Sequence, residues 1–303
     1  MDSPESRKGA AFALAAFLFW GLVTPIYFKA VSGLSPFEIL AHRIVWSLVL
    51  VGGLLLVMGR TAALRASLSG GKMIQRLMVS AFFVSLNWLI YIYAISASMT
   101  VEAALGYYIN PLVNVVLGMV VLRERLSRAQ GLAVLLAAFG VAYLTLQAGQ
   151  VPWVGLALAF SFGIYGLIRK TAPLNSLEGL FMETLLLLPF ALLYLGYLIL
   201  SGEAAFSFEA PDLLLLLVLS GPVTALPLIW YASGARRLRY STIGLFQYLA
   251  PTCIVLTAVF LFGEPFTQAH LVTFACIWTA LAVYSTDSLV SARRLRRSLK
   301  PAA

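Results

Sequence analysis

Only 11% of this 303-residue chain is charged and 61% is hydrophobic, so the polar side chains inside its apolar runs are few enough to name, and each is a candidate for chemistry. Tyr107, Asn110, Asn114 and Gly118 recur at i, i+3, i+7 and i+11, on one side of a helix. A phenol and two amides on one stripe can hydrogen-bond a ligand in a cavity, or alternatively a neighbouring helix. Pro111 interrupts the backbone ladder beside them, as happens at transporter sites. Gly244, Gln247 and Pro251 form a second stripe that should oppose the first. Asn87, beside Trp88 and Tyr91, and Trp20 in the first apolar run complete a set that would suit a flat apolar ligand. Trp230 and Tyr231 read instead as interfacial belt residues.

Ionisable groups at depth are fewer still. His42 and Arg43 lie six and seven residues past Pro36, and Glu183 stands at a comparable depth in a later run. His42 and Glu183 are candidates for proton coupling, since imidazole titrates near neutrality and burial raises a carboxylate towards it. The alternative is that each pairs with local polar groups. Arg43 cannot shed its proton, so it must pair with a carboxylate, Glu102 or Glu38, or be hydrated in a cavity, or bind an anionic substrate. Glu124 and Glu264 read as caps for the helix that follows each. No HExxH, P-loop or serine-elbow pattern occurs, and neither a metal site nor a cofactor is expected. Cys253 and Cys276 read as core filling.

These residues sit in ten apolar segments of helical length: 9–31, 37–58, 74–97, 101–122, 128–147, 152–170, 176–200, 211–233, 240–262 and 267–288. A bilayer core needs about 20 apolar residues per helix, and β-barrel strands would be about half that length with alternating polarity. The fold class is therefore an all-α integral membrane protein. Residues 1–30 are expected to be a retained first helix and not a signal peptide. A net charge of +9 does not point to nucleic acid, because the basic residues sit in short clusters between the spans.

Residues 104–144 return as 244–284 at an offset of 140, with seven of 41 pairs identical, including Tyr108/Tyr248, Pro111/Pro251 and Glu124/Glu264. The copies differ in charge. Arg123, Arg125 and Arg128 lose their charge in the second copy, while Ser96, Ala97 and Met99 become Arg236, Arg237 and Arg239. Since Lys and Arg mark cytoplasmic loops, the second copy is expected to insert upside down, as in many secondary transporters. With both termini inside, 19 of the 21 Lys and Arg residues fall on the cytoplasmic side, leaving Lys29 outside and Arg43 within a span. The expected organisation is a first five-helix repeat over 1–148, a second, inverted one over 149–290, and a basic cytoplasmic tail over 291–303.

The runs FALAAFLFWGLVTPIYFK, HRIVWS, EAALGYYINPLVNVVLGMVVLRERLS, ALAFSFGIYGLIRK, RLRYSTIGLFQYLAPT and TFACIWTALAVY resemble the RarD group of EamA-type permeases, in the drug/metabolite transporter superfamily. The resemblance covers nearly the whole chain. It implies ten transmembrane helices as two five-helix inverted-topology repeats, a central cavity and transport of small metabolites. The expected function is that of an inner-membrane secondary transporter, a multi-pass permease of a bacterial cell working by alternating access. Its partners would be a small-molecule substrate and the lipid bilayer, with a homodimer as one compatible assembly. The rival readings are a lipid or lipid-carrier translocase and a membrane-embedded enzyme using His42 or Glu183.

Overall fold

A computed structural model describes residues 4–60, 71–96, 100–149, 151–206, 210–263 and 267–298. Among them are eleven helices: α1 (Pro4–Ala30), α2 (Pro36–Val57), α3 (Gly71–Ser96), α4 (Thr100–Val120), α5 (Arg128–Gln147), α6 (Trp153–Thr171), α7 (Ser176–Ser201), α8 (Pro211–Arg237), α9 (Tyr240–Gln247), α10 (Leu249–Phe262) and α11 (Gln268–Ser298). Eight spans are long and apolar enough to cross a membrane, with α9 and α10 forming one of them, and Ala104–Val120 is a shorter apolar helix. Large apolar side chains such as Leu135, Phe139, Phe190 and Leu193 face outward, which costs free energy in water and none in lipid.

Local chemistry sets the ends. Pro36 opens α2 with a ring already at the helical φ. Ser127 and Gln130 close a reciprocal capping box on α5. Gly202 and Gly263 take left-handed conformations just past α7 and α10, where a side chain would be strained. The ninth expected segment is not one helix: it breaks at Tyr248. Pro251 has no N–H to give the Gln247 carbonyl, so the ladder fails one turn before the proline. Pro111 likewise frees the Tyr107 carbonyl, but α4 runs on through it. The last helix also exceeds its expected end, continuing into the basic segment as far as Ser298.

Neighbours in space are seldom neighbours in sequence. α1 lies on α8 and α10, α2 between α7 and α8, α3 on α6, α4 between α6 and α9, and α5 on α11. Basic residues from several connections gather at one end of this bundle. There Arg237 pairs with Glu5 at 3.0 Å, Arg60 with Glu178 at 3.1 Å, and Lys170 donates to the Ala235 and Leu238 carbonyls. Ser127 donates to Asp287 at the same end, at 2.7 Å.

Candidate functional site

Towards the other end the helices enclose a cavity of about 360 Å³. Its walls come from the parts of α1, α2, α3, α4 and α6 farthest from the basic end, together with α8, α9 and α10. The structure brings Trp20, Asn87, Trp88, Tyr91, Tyr107, Asn110 and Gln247 together around it, with Arg43. Asn114 is not in the wall. It is wholly buried behind it and donates from Nδ2 to Oε1 of Gln247 at 2.6 Å, joining α4 to α9. The two polar stripes thus meet, and they meet closely: a Cβ on Gly244 would stand 2.6 Å from the Pro111 carbonyl oxygen.

Each amide in the wall is partly spent on the scaffold. Asn87 donates from Nδ2 to the Leu158 carbonyl at 2.9 Å and to Ser161 Oγ at 3.0 Å. Asn110 donates to the Ala159 carbonyl at 3.2 Å, and its Oδ1 has no hydrogen-bond partner among the described residues. Sequence reasoning missed other wall residues, among them Phe28, Phe162 and Thr224. Thr224 left a signal, a hydroxyl between Pro222 and Pro227 in an otherwise apolar run.

Arg43 is held at the cavity wall by α8 and by aromatic rings. Among the described residues it makes one hydrogen bond, from Nε to Thr224 Oγ1 at 2.8 Å, and no ion pair. Its guanidinium carbon lies 4.9 Å from the ring centroid of Trp88 and 5.4 Å from that of Phe28, a cation–π contact worth about 0.5–2 kcal/mol. Glu38 is engaged elsewhere, accepting from the Ala205 N–H at 2.7 Å. The side chain of Glu102 lies outside the described residues.

The other two ionisable candidates stand outside the cavity wall. His42 is buried and stacked on Phe206 with ring centroids 5.5 Å apart, its Nε2 without a hydrogen bond among the described residues. Glu183 accepts from Ser80 Oγ at 2.5 Å and Tyr165 OH at 3.4 Å, and lies 3.6 Å from Arg169 Nε. Arg169 is one of the 19 basic residues counted on the cytoplasmic side. In the structure it is buried, its Nη2 donating to the Ser176 carbonyl at 2.9 Å.

Between the cavity and the basic end lies an aromatic floor. Phe162 and Tyr231 are 5.1 Å apart by ring centroid, with Trp20 and Phe17 against them. Tyr231 is wholly buried and so is no belt residue: its hydroxyl meets that of Tyr240, which donates to the Gly163 carbonyl at 2.5 Å. Below the floor, Glu124 caps α9, a distant helix, and not the α5 that follows it. Its carboxylate accepts from the Tyr240 and Ser241 N–H groups at 2.6 and 2.9 Å and from Ser241 Oγ at 2.6 Å. Ser127 already caps α5, which leaves Glu124 free for α9. Its expected counterpart Glu264 lies outside the described residues.

Comparison with known proteins agrees with this architecture. Residues 7–146 match the EamA-like transporter family. A Vibrio cholerae protein named as an uncharacterized transporter is 44% identical over 98% of both chains. Protein RarD of Escherichia coli is 41% identical over 97% of this chain and 99% of its own. A solved crystal structure shares the fold with a TM-score of 0.71 at 18% identity, covering 92% of this chain and 97% of the other. Full-length identity of this order, added to the membrane-length helices, establishes the chain as a multi-pass membrane protein that belongs to the EamA-like transporter family, in its RarD group.

Proposed function

We propose that the chain is an inner-membrane secondary transporter of a small organic molecule, working by alternating access between two inverted five-helix repeats. The observation that carries this reading is the cavity: it has amide, phenol and guanidinium groups at its wall, and an aromatic floor with a hydrogen-bonded layer closes one end. Such a chamber, closed towards the basic end, is what a carrier halted in one of its two states requires. By the positive-inside rule the basic end is cytoplasmic, and the state is outward-facing.

Packing supports the inverted repeat. Take α1, α2, α3, α4 and α5 as counterparts of α6, α7, α8, the α9–α10 span and α11. Then α1 on α8 becomes α6 on α3, α4 on α6 becomes α9–α10 on α1, and α2 on α8 becomes α7 on α3. The pairs α2 with α7, α4 with α9 and α5 with α11 map onto themselves. A twofold axis in the membrane plane produces this exchange, and the Pro111–Gly244 crossing is where it would pass.

The enzyme reading finds less support. His42 and Glu183 stand outside the cavity wall, and among the described residues Arg43 is the only Lys, Arg, His, Asp or Glu in it. Comparing intracellular and medium metabolites tests the proposal, using cells that lack the protein, overproduce it, or overproduce Asn110→Leu or Gln247→Leu. At least one small metabolite should be redistributed by the native protein and not by the variants at equal membrane abundance. Identical profiles in all four would refute it.

A further inference from the structure

We propose that the cavity takes an organic monoanion: a carboxylate on a flat apolar body, without an ammonium group. The inference rests on the transport reading above and names the substrate class of that site. Among the described residues Arg43 is the only charged side chain in the cavity wall, and no Asp or Glu stands beside it there.

The guanidinium is held ready for a ligand. Its Nε is fixed on Thr224, and the rings of Phe28 and Trp88 lie against it. With Nε so engaged, the terminal nitrogens remain as donors, and a guanidinium presents such donors in the planar fork that matches a carboxylate. A permanent cation at membrane depth costs free energy until an anion or water meets it. Of the carboxylates that could have neutralised it from the protein, Glu38 is engaged on Ala205 and Glu183 on Ser80 and Arg169, while the side chain of Glu102 lies outside the described residues.

The rest of the wall selects against other charges. Among the described residues the wall has no acidic side chain to receive an ammonium group, which would exchange water for aromatic faces alone, a weaker partner than a carboxylate. A second carboxylate would find no second Lys or Arg in the wall among the described residues. Trp20, Tyr91, Tyr107 and Phe162 line the cavity and supply aromatic surface for a flat body.

The test is binding of three probes of one shape to the purified full-length protein in detergent, by calorimetry: 2-naphthoate, the neutral 2-naphthamide and the cationic 2-naphthylmethylamine. Naphthoate should bind roughly tenfold or more tightly than either, as a charged hydrogen-bonded pair implies. Arg43→Gln should remove that preference, Arg43→Lys should keep part of it, and Arg43→Gln should melt close to the native protein. Equal binding of the three probes, binding of none, or a naphthoate preference that survives Arg43→Gln would overturn the proposal. So would an Arg43→Gln protein that melts far lower and is rescued by Glu102→Gln, since Arg43 would then be a structural partner. Flux into liposomes separates this proposal from the transport reading. Movement of a neutral or cationic metabolite in preference to naphthoate sinks the anion class and keeps the transporter. Arg43-dependent binding of naphthoate with no flux of any solute keeps the anion site and sinks transport.

Discussion

Arg169 and Glu183 are each about 1% exposed and 3.6 Å apart, and neither lines the cavity, so their pairing bears on folding before it bears on transport. Removing one partner from a buried pair typically costs about 3–5 kcal/mol, because the other charge is left unpaired, whereas replacing both with apolar groups is often nearly neutral. Arg169→Ala and Glu183→Ala should therefore each lower membrane abundance and melting temperature sharply. Arg169→Met combined with Glu183→Leu should recover most of the loss. Additive losses in the double variant would contradict the pairing. Glu183 was legible in the sequence as a charge inside an apolar run. Arg169 was not, because a basic residue next to Lys170 at a helix end looks like a topology marker, and Ser80, which completes the group, is 103 residues from Glu183.

At the scale of elements, the spans were legible because apolar length is written directly in the sequence, while their joints depend on distant contacts. The break at Tyr248 could have been found from Pro251 by counting back to the carbonyl it strands. The cap on α9 could not, since Glu124 reaches it across 116 residues. Losing a cap costs about 0.5–2 kcal/mol. Glu124→Ala should lower the melting temperature accordingly, and Glu124→Gln, which can still accept, should lower it less; equal, negligible effects would remove the cap from the account. Close helix crossings give a second check. A Cβ on Gly221 would stand 2.5 Å from the Trp46 carbonyl carbon, whereas one on Gly53 meets nothing within 4 Å. Gly221→Ala should destabilise the protein markedly and Gly53→Ala hardly at all, as thermal unfolding of the purified variants would report.

For the whole molecule, the charge reversals carry the expectation of an inverted repeat, but nothing in them tells of the interleaving of the two halves. Two repeats in sequence suggest two bodies side by side, yet most close packing here joins a helix of one half to a helix of the other. Apolar patterning says that a face is buried and not what buries it. The orientation proposed above is tested by single cysteines in a background with Cys253→Ala and Cys276→Ala. One at Ala148 should react with an impermeant thiol reagent outside intact cells, and one at Arg237 should not; the reverse would invert the topology. The most direct test of the central claim, a cavity that opens alternately to the two sides, uses the same background with Ala250→Cys, since Ala250 lines the cavity. The account predicts labelling from outside in intact cells and, more slowly, from the cytoplasmic face in inverted vesicles. A cysteine there that stays unreactive from both faces would contradict it.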